Sequence, residues 1–154
     1  MDEQQSTRAA LKRGLECRIG KAPIAVPTEA VAQIVDYDVA SPAPLASPWI
    51  GGIGVHAGRV VVSVSLATSR RGALPRRRRT RGLILNTPSA RAGFAIEVSH
   101  VLSLVDLEVT ALPQAAGELG LPVWLCEGKN AAGRKLGWID VNAMIREFDA
   151  VLGS

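Results

Sequence analysis

Residues 49–66 read WIGGIGVHAGRVVVSVSL, with glycines at 51, 52, 54 and 58 followed directly by a run of β-branched residues. Glycine-rich turns bind phosphate when a helix N-terminus follows them and points its free N–H groups at the anion. The residues after Gly58 favour a strand, so this turn has no helix dipole to offer an anion. We therefore predict a hairpin between two buried strands, with glycine at the sharp or crowded positions, and no nucleotide site.

The rest of the sequence predicts short strands separated by turns. Leu15, Cys17 and Ile19 alternate with polar residues, which predicts a strand that pairs with residues 22–26 across a turn at Gly20 and Lys21. Further strands are predicted within 49–55, 60–66, 82–86, 93–109, 123–128 and 135–141. The spacing of Val31, Ile34 and Val35 after Thr28 predicts one short helix, and residues 142–152 predict another.

The composition is that of a small globular protein. The 154 residues are 47% hydrophobic and 21% charged, which suits one compact domain over 15–150 behind a polar tail or short helix at 1–14. We expect no export signal and no membrane insertion, because no apolar run is long enough for either. The two isolated cysteines fit a reducing compartment, and we predict a cytoplasmic protein.

Residue types suited to catalysis or metal binding are few and scattered. His56 and His100 have no Cys, His or carboxylate at ligand spacing. Cys17 and Cys126 lie within apolar strand patterns, which favours small core residues over nucleophiles. Asp140 stands where it would cap a turn or the following helix. The sequence thus predicts no catalytic residue, no metal ligand and no cofactor, and we expect the protein not to be an enzyme.

Residues 70–81, RRGALPRRRRTR, hold seven arginines and no acidic residue. The Pro and Gly residues and the lack of periodicity predict a basic loop over 70–82. Three interpretations stay open: a solvated loop, a contact with nucleic acid phosphates, and a contact with an acidic partner protein. The segment contains no aromatic residue, so a DNA contact would be non-specific. The residues of that contact would be Arg76, Arg77, Arg78 and Arg79.

The order of these elements resembles the CheW-like domain. Its first half is similar to APIAVPTEAVAQIV (22–35), the proline-rich stretch 40–48 and residues 49–66, and its second half to residues 93–113 and 123–145. The resemblance covers about residues 15–150 and implies an all-β fold. That fold consists of two small five-stranded antiparallel barrels, of the SH3 or OB kind, that share a core and carry short helices. Among family members, the chain is similar in kind to accessory proteins of gliding-motility systems such as FrzB.

The resemblance implies a non-enzymatic adaptor that joins chemoreceptor tips to a CheA-type histidine kinase. In the family, an apolar groove between the barrels takes the receptor's helical hairpin, and outer barrel edges meet other CheW-like domains. The residues carried over to the groove by position are Val31, Ile34, Val35, Val55, His56, Ala57, Val98, His100 and Val101. For Val31, Ile34, Val98 and Val101, a place in the hydrophobic core is an equal alternative.

Several polar residues of the family pattern are replaced. Val55, Ala57, Val62 and Ser65 stand where the family has Asn, Arg, Pro and Asp, and Ser99 stands where it has Asp. Ala57 therefore removes a charged contact, and coupling to the kinase is left open by these departures. The alternative function is that of a small β-barrel nucleic-acid binder that uses Arg76–Arg79.

Overall fold

The computed structural model describes residues 11–40, 48–66, 77–86, 92–111 and 121–152. These ranges contain ten strands, one three-residue 3₁₀ turn at Thr28–Ala30 and one α-helix. The strands are β1 Lys12–Ile19, β2 Ala22–Pro27, β3 Val31–Ala40, β4 Ile50–His56, β5 Arg59–Val64, β6 Arg77–Leu85, β7 Gly93–Val98, β8 His100–Ala111, β9 Leu125–Lys129 and β10 Lys135–Ile139. The helix, α1, is Val141–Leu152.

The strands form two closed five-stranded barrels, as the resemblance implies. The central barrel has the strand order β3-β4-β5-β7-β6, and the terminal barrel has the order β1-β2-β10-β9-β8. Strand pairs are antiparallel except for β5 with β7 and β2 with β10, which are parallel. A closed ring with an odd number of strands cannot alternate direction all the way round, so each barrel must contain a parallel pair.

The stretch at 49–66 forms the expected hairpin. Strands β4 and β5 pair in antiparallel register, with Val55 opposite Val60 and His56 opposite Arg59. Ala57 and Gly58 form the turn and both have positive φ, +52° and +76°, as a type I′ hairpin requires. The residues after Gly58 continue as a strand, which confirms that no helix N-terminus faces these glycines.

One hydrophobic core joins the two barrels and the helix. Its buried members come from the terminal barrel, the central barrel and α1, and they include Cys17, Val26, Leu83, Ile96, Trp124, Met144 and Phe148. Phe148 lies at the centre of an aromatic group, with ring centroids 6.0 Å from Trp124 and 6.3 Å from Phe94. The helix predicted at 142–152 is confirmed, and Asp140 caps it by accepting a 3.1 Å hydrogen bond from the Ala143 N–H.

The helix predicted after Thr28 is wrong. The chain makes only the 3₁₀ turn, and Val31, Ile34 and Val35 belong to β3, which pairs with β6 from Val31 to Ala40. β-branched residues fit a pleated sheet at least as well as a helix, and the long pairing with β6 outweighs the helical spacing.

Two predicted boundaries also change. The basic loop expected over 70–82 is wrong for its second half, because residues 77–82 lie within β6. The first half of that segment, including Arg76, lies outside the described residues. The tail expected at 1–14 is wrong at its end, because β1 begins at Lys12, and residues 1–10 lie outside the described residues.

The turn residue Ala57 offers a direct test of the hairpin. An L-residue with a side chain pays about 1–2 kcal/mol for the left-handed conformation, and asparagine tolerates it far better. We therefore expect Ala57→Asn to raise the free energy of unfolding by roughly 0.5–1 kcal/mol. Urea denaturation would measure the change. Ala32→Asn, at an exposed extended position of β3, is the control and should give no gain. A loss of stability in Ala57→Asn would contradict the turn.

Candidate functional site

The outer face of the β4–β5 hairpin carries large apolar side chains in contact with solvent. Val55 is 64% exposed and its cross-strand neighbour Val60 is 51% exposed. Ile53 lies two residues before Val55, and hence on the same face of the strand, and is 39% exposed. We call Ile53, Val55 and Val60 the hairpin surface. A two-residue turn at Ala57 and Gly58 places Val55 opposite Val60, so the position of the turn in the sequence is a signal for this surface.

A side-chain hydrogen bond joins the end of this hairpin to β3. The Nε2 atom of His56 lies 2.8 Å from the Oε1 atom of Gln33. Gln33 precedes Ile34, which is 49% exposed. The hydrogen bond thus fixes the hairpin end against the strand that carries Ile34. Gln33 was not predicted from the sequence, because a single glutamine in an exposed strand gives no distinctive pattern.

The structure places the nine residues carried over from the family in several different environments. Ile34, Val55, His56 and Ala57 lie on β3 and the β4–β5 hairpin. Val98 and Val101 lie where β7 passes into β8, and both contribute to the shared core, as does Val31. Val35 packs against the interior of the central barrel, and His100 is exposed. The core alternative is therefore favoured for Val31, Val98 and Val101, whereas Ile34 has its side chain half exposed.

Ser99 ties the two barrels together at this junction. Its N–H donates a 2.7 Å hydrogen bond to the carbonyl of Arg18, and its hydroxyl accepts a 2.8 Å hydrogen bond from the N–H of Gly20. Both partners belong to the β1–β2 hairpin of the terminal barrel. The serine that stands at the position of the family's aspartate thus has a structural contact of its own.

A buried polar network lies inside the central barrel, beneath the hairpin surface. The Tyr37 hydroxyl lies 2.7 Å from the Ser63 hydroxyl, which donates a 2.7 Å hydrogen bond to Oε2 of Glu97. Both carboxylate oxygens of Glu97 accept hydrogen bonds from Arg78, whose Nη2 also donates to the carbonyl of Gly51 at 3.2 Å. These five residues come from β3, β5, β7, β6 and β4, so the network touches every strand of the barrel.

Burial keeps the Tyr37 hydroxyl protonated. Burial raises the pKa of the Tyr37 phenol well above its ordinary value, and this outweighs the hydrogen bond to Ser63. Tyr37 is therefore a neutral hydrogen-bond donor at physiological pH. Because the Ser63 hydroxyl donates its hydrogen bond to Glu97, the Ser63 oxygen accepts the hydrogen bond from the Tyr37 hydroxyl.

Glycines make room for the network. A Cβ atom at Gly51 would lie 2.5 Å from Oε2 of Glu97, and one at Gly82 would lie 2.5 Å from the ring of Tyr37. Neither glycine has a positive φ, so both are needed for space and not for backbone conformation. Part of the glycine content of residues 49–66 thus serves the barrel interior and not a ligand.

The terminal barrel has a comparable ion pair. Two nitrogens of Arg134 donate to the two carboxylate oxygens of Glu16, at 2.9 and 2.6 Å. The hydrogen bond from Arg134 lowers the pKa of the Glu16 carboxyl against the opposing effect of burial. Each barrel thus buries a glutamate that is held at both oxygens by an arginine.

The arginines of β6 do not form a uniform basic surface. Arg78 is turned inward to Glu97, and its side chain is only 12% exposed. Arg79 and Arg81 are exposed and pair with Asp38 and Asp36 of β3, at 3.3 and 3.1 Å. Two of the four arginines predicted to meet nucleic acid, Arg78 and Arg79, are therefore already compensated by carboxylates, which weakens the DNA interpretation. Arg77 is exposed, and Arg76 lies outside the described residues.

Cys17 is a core residue, as predicted, whereas Cys126 is partly buried and packs against the interior of the terminal barrel. Burial raises the pKa of Cys17 to about 11, and burial also raises the pKa of Cys126. Both thiols are therefore protonated near neutral pH and are poor nucleophiles. Within the described ranges, no three His, Cys, Asp or Glu side chains lie close enough together to hold a metal ion. No described helix has the length and apolar character needed to cross a membrane.

Side-chain truncations test whether Tyr37, Ser63 and Glu97 form one chain of hydrogen bonds. Ser63→Ala leaves the Tyr37 hydroxyl without an acceptor and Glu97 without a donor, so we expect unfolding to become easier by about 2 kcal/mol or more. Tyr37→Phe removes one donor only and should cost about 1 kcal/mol. Adding Tyr37→Phe to Ser63→Ala should cost less than the sum, since the orphaned hydroxyl is then gone. Urea denaturation measures all three variants, with exposed Ser103→Ala as a near-neutral control. Additive costs would contradict the chain of hydrogen bonds.

Comparisons with known proteins agree with this architecture. The family model of the CheW-like domain matches residues 13–148. The scaffolding protein TtCheW from Thermoanaerobacter tengcongensis has a similar structure, with a TM-score of 0.57 and 14% sequence identity over 84% of this chain and 88% of that one. At this identity the structural similarity shows the fold alone. A comparison with curated protein sequences gave no match. Since the family model spans most of the sequence, the chain belongs to the CheW-like domain family.

Proposed function

We propose that this chain is a non-enzymatic adaptor of a bacterial chemosensory system that binds the cytoplasmic tips of chemoreceptors. The observation that carries the proposal is the match of the CheW-like family model to residues 13–148. The receptor tips lie in the cytoplasm, so the proposal places the chain there as well.

The exposed residues of the central barrel support a protein-binding role. Ile34 and the hairpin surface present apolar side chains from adjacent segments of one barrel. An amphipathic helix buries such side chains when it lies in an apolar groove, and each fully buried Val or Ile contributes about 1.5–3 kcal/mol. Exposed apolar side chains that cluster commonly mark interaction sites.

The replaced family residues alter the chemistry of the proposed contact. Val55 and Ala57 stand where the family has Asn and Arg, and Val55 is well exposed. We therefore propose a receptor contact that depends on apolar burial where the resemblance implied a charged one. Coupling to a CheA-type histidine kinase is left open by these replacements, and it would be measured by kinase activation and not by receptor binding.

Charged substitutions on the surface test receptor binding. A carboxylate placed in an apolar contact loses the burial energy, so Ile34→Asp and Val55→Asp should each weaken binding about tenfold to a hundredfold. Binding would be measured by calorimetry against the cytoplasmic helical hairpin of a chemoreceptor from the same organism. Both side chains are exposed enough for the variants to fold, whereas Val98 is 5% exposed and is unsuitable for such a test.

The matched control is Val123→Asp, because Val123 is 81% exposed and lies outside the proposed surface. It should leave binding unchanged. Circular dichroism would show that all three variants stay folded. If Ile34→Asp and Val55→Asp bind the receptor hairpin as tightly as the unaltered chain, the proposed surface is wrong.

A further inference from the structure

Strands β3 and β6 carry a ladder of opposite charges on the outside of the central barrel. Arg81 is opposite Asp36 and Arg79 is opposite Asp38, and each pair forms an exposed ion pair. The next outward arginine on β6 is Arg77, and the residue opposite it on β3 is Ala40, which is uncharged. The third rung of the ladder therefore lacks its acid, and no ion pair joins Arg77 to another described residue.

The open rung lies next to the apolar residues of β4. Ala40 is paired with Arg77 on one side and with Ile53 on the other. One row of side chains therefore runs from an arginine with no acidic partner among the described residues to an exposed hydrophobic residue. A groove of about 590 Å³ occupies this region. We call it the open-rung groove, and its lining includes Asp38, Ala40, Ile53, Val55, Arg77 and Arg79.

We propose that the open-rung groove binds an acidic segment of a partner protein, with a carboxylate on Arg77 and an apolar side chain against Ile53 and Val55. The inference rests on the proposed adaptor function only in taking the partner to be a protein. Arg79 is already matched by Asp38, so Arg77 supplies the uncompensated charge. A guanidinium can hold a carboxylate with two parallel hydrogen bonds, and the neighbouring apolar side chains reduce competition from water.

The same geometry is poorly suited to nucleic acid. Affinity for DNA comes from the neutralisation of several phosphates, and single strands are held by stacked aromatic side chains. Of the three arginines among the described lining residues, Arg78 and Arg79 are paired with Glu97 and Asp38, and only Arg77 has no carboxylate partner. None of the described lining residues is aromatic. An acidic protein segment, which needs one cation beside an apolar patch, fits these residues better.

The test uses purified full-length chain and synthetic peptides. One peptide consists of three Glu-Ser-Leu-Ser repeats, which place carboxylates and leucines on the same face when extended. Its neutral counterpart has Gln in place of Glu. Binding would be measured by calorimetry at low salt, and the groove would be located by amide chemical shifts at Ile53, Val55 and Arg77. A short DNA duplex serves as a third probe.

Two variants address the open rung itself. Arg77→Gln removes the cation, and Ala40→Asp supplies the missing acid from within the chain. Each should weaken binding of the Glu peptide about tenfold. Ala40→Asn introduces a side chain of the same size as Ala40→Asp but without the charge, so this variant should bind the Glu peptide as tightly as the unaltered chain. Arg13→Gln removes an exposed arginine from the terminal barrel and should also leave binding unchanged.

The expected result is tighter binding of the Glu peptide than of the Gln peptide, lost in Arg77→Gln and Ala40→Asp. Equal affinity for both peptides, no binding of either, or unchanged binding in Ala40→Asp would overturn the proposal. So would DNA binding that depends on Arg77 in the absence of peptide binding. The groove and the hairpin surface share Ile53 and Val55, but Arg77→Gln and Ala40→Asp alter neither of these residues, and receptor binding is measured separately against the receptor hairpin. Failure of this inference therefore leaves the adaptor proposal standing, and the reverse also holds.

Discussion

The ion pair between Arg78 and Glu97 is the interaction on which the central barrel depends. Both side chains are largely withdrawn from solvent, and the carboxylate is held at both oxygens by the guanidinium. Removing one partner of such a pair leaves an uncompensated buried charge, which costs about 3–5 kcal/mol. That is a large fraction of the roughly 5–15 kcal/mol that stabilises a typical domain. Through Ser63, Tyr37 and the Gly51 carbonyl, the pair reaches all five strands.

This buried pair also determines what the outside of the barrel presents. Side chains alternate along a strand, so Arg78 facing inward requires Arg77 and Arg79 to face outward. A shift of β6 by one residue would put three arginines, Arg77, Arg79 and Arg81, into the interior and break the pairs with Asp36 and Asp38. The charge ladder, the open-rung groove and the hairpin surface beside it thus all depend on a register that the interior fixes.

The sequence was most informative where local chemistry decides the structure. The hairpin within residues 49–66, the cap at Asp140 and the helix over 142–152 each depend on a few neighbouring residues, and each was predicted. The family resemblance supplied the two barrels, which local patterns alone do not specify. The errors came where the structure depends on residues that are distant in the sequence. Val31–Val35 forms a strand because it pairs with β6, and Arg78 is buried because it forms an ion pair with Glu97. Gln33 and His56 meet for the same kind of reason, and no spacing in the sequence reveals such pairs.

The most direct test of this account is a double-mutant cycle on the buried ion pair, measured by urea denaturation. Arg78→Met and Glu97→Met should each cost about 3–5 kcal/mol, because each leaves one charge buried and unpaired. The double variant, which removes both charges, should be more stable than either single variant, with a coupling energy of at least about 2 kcal/mol. Additive losses, or a double variant as stable as the unaltered chain, would contradict the central claim that this pair holds the barrel together.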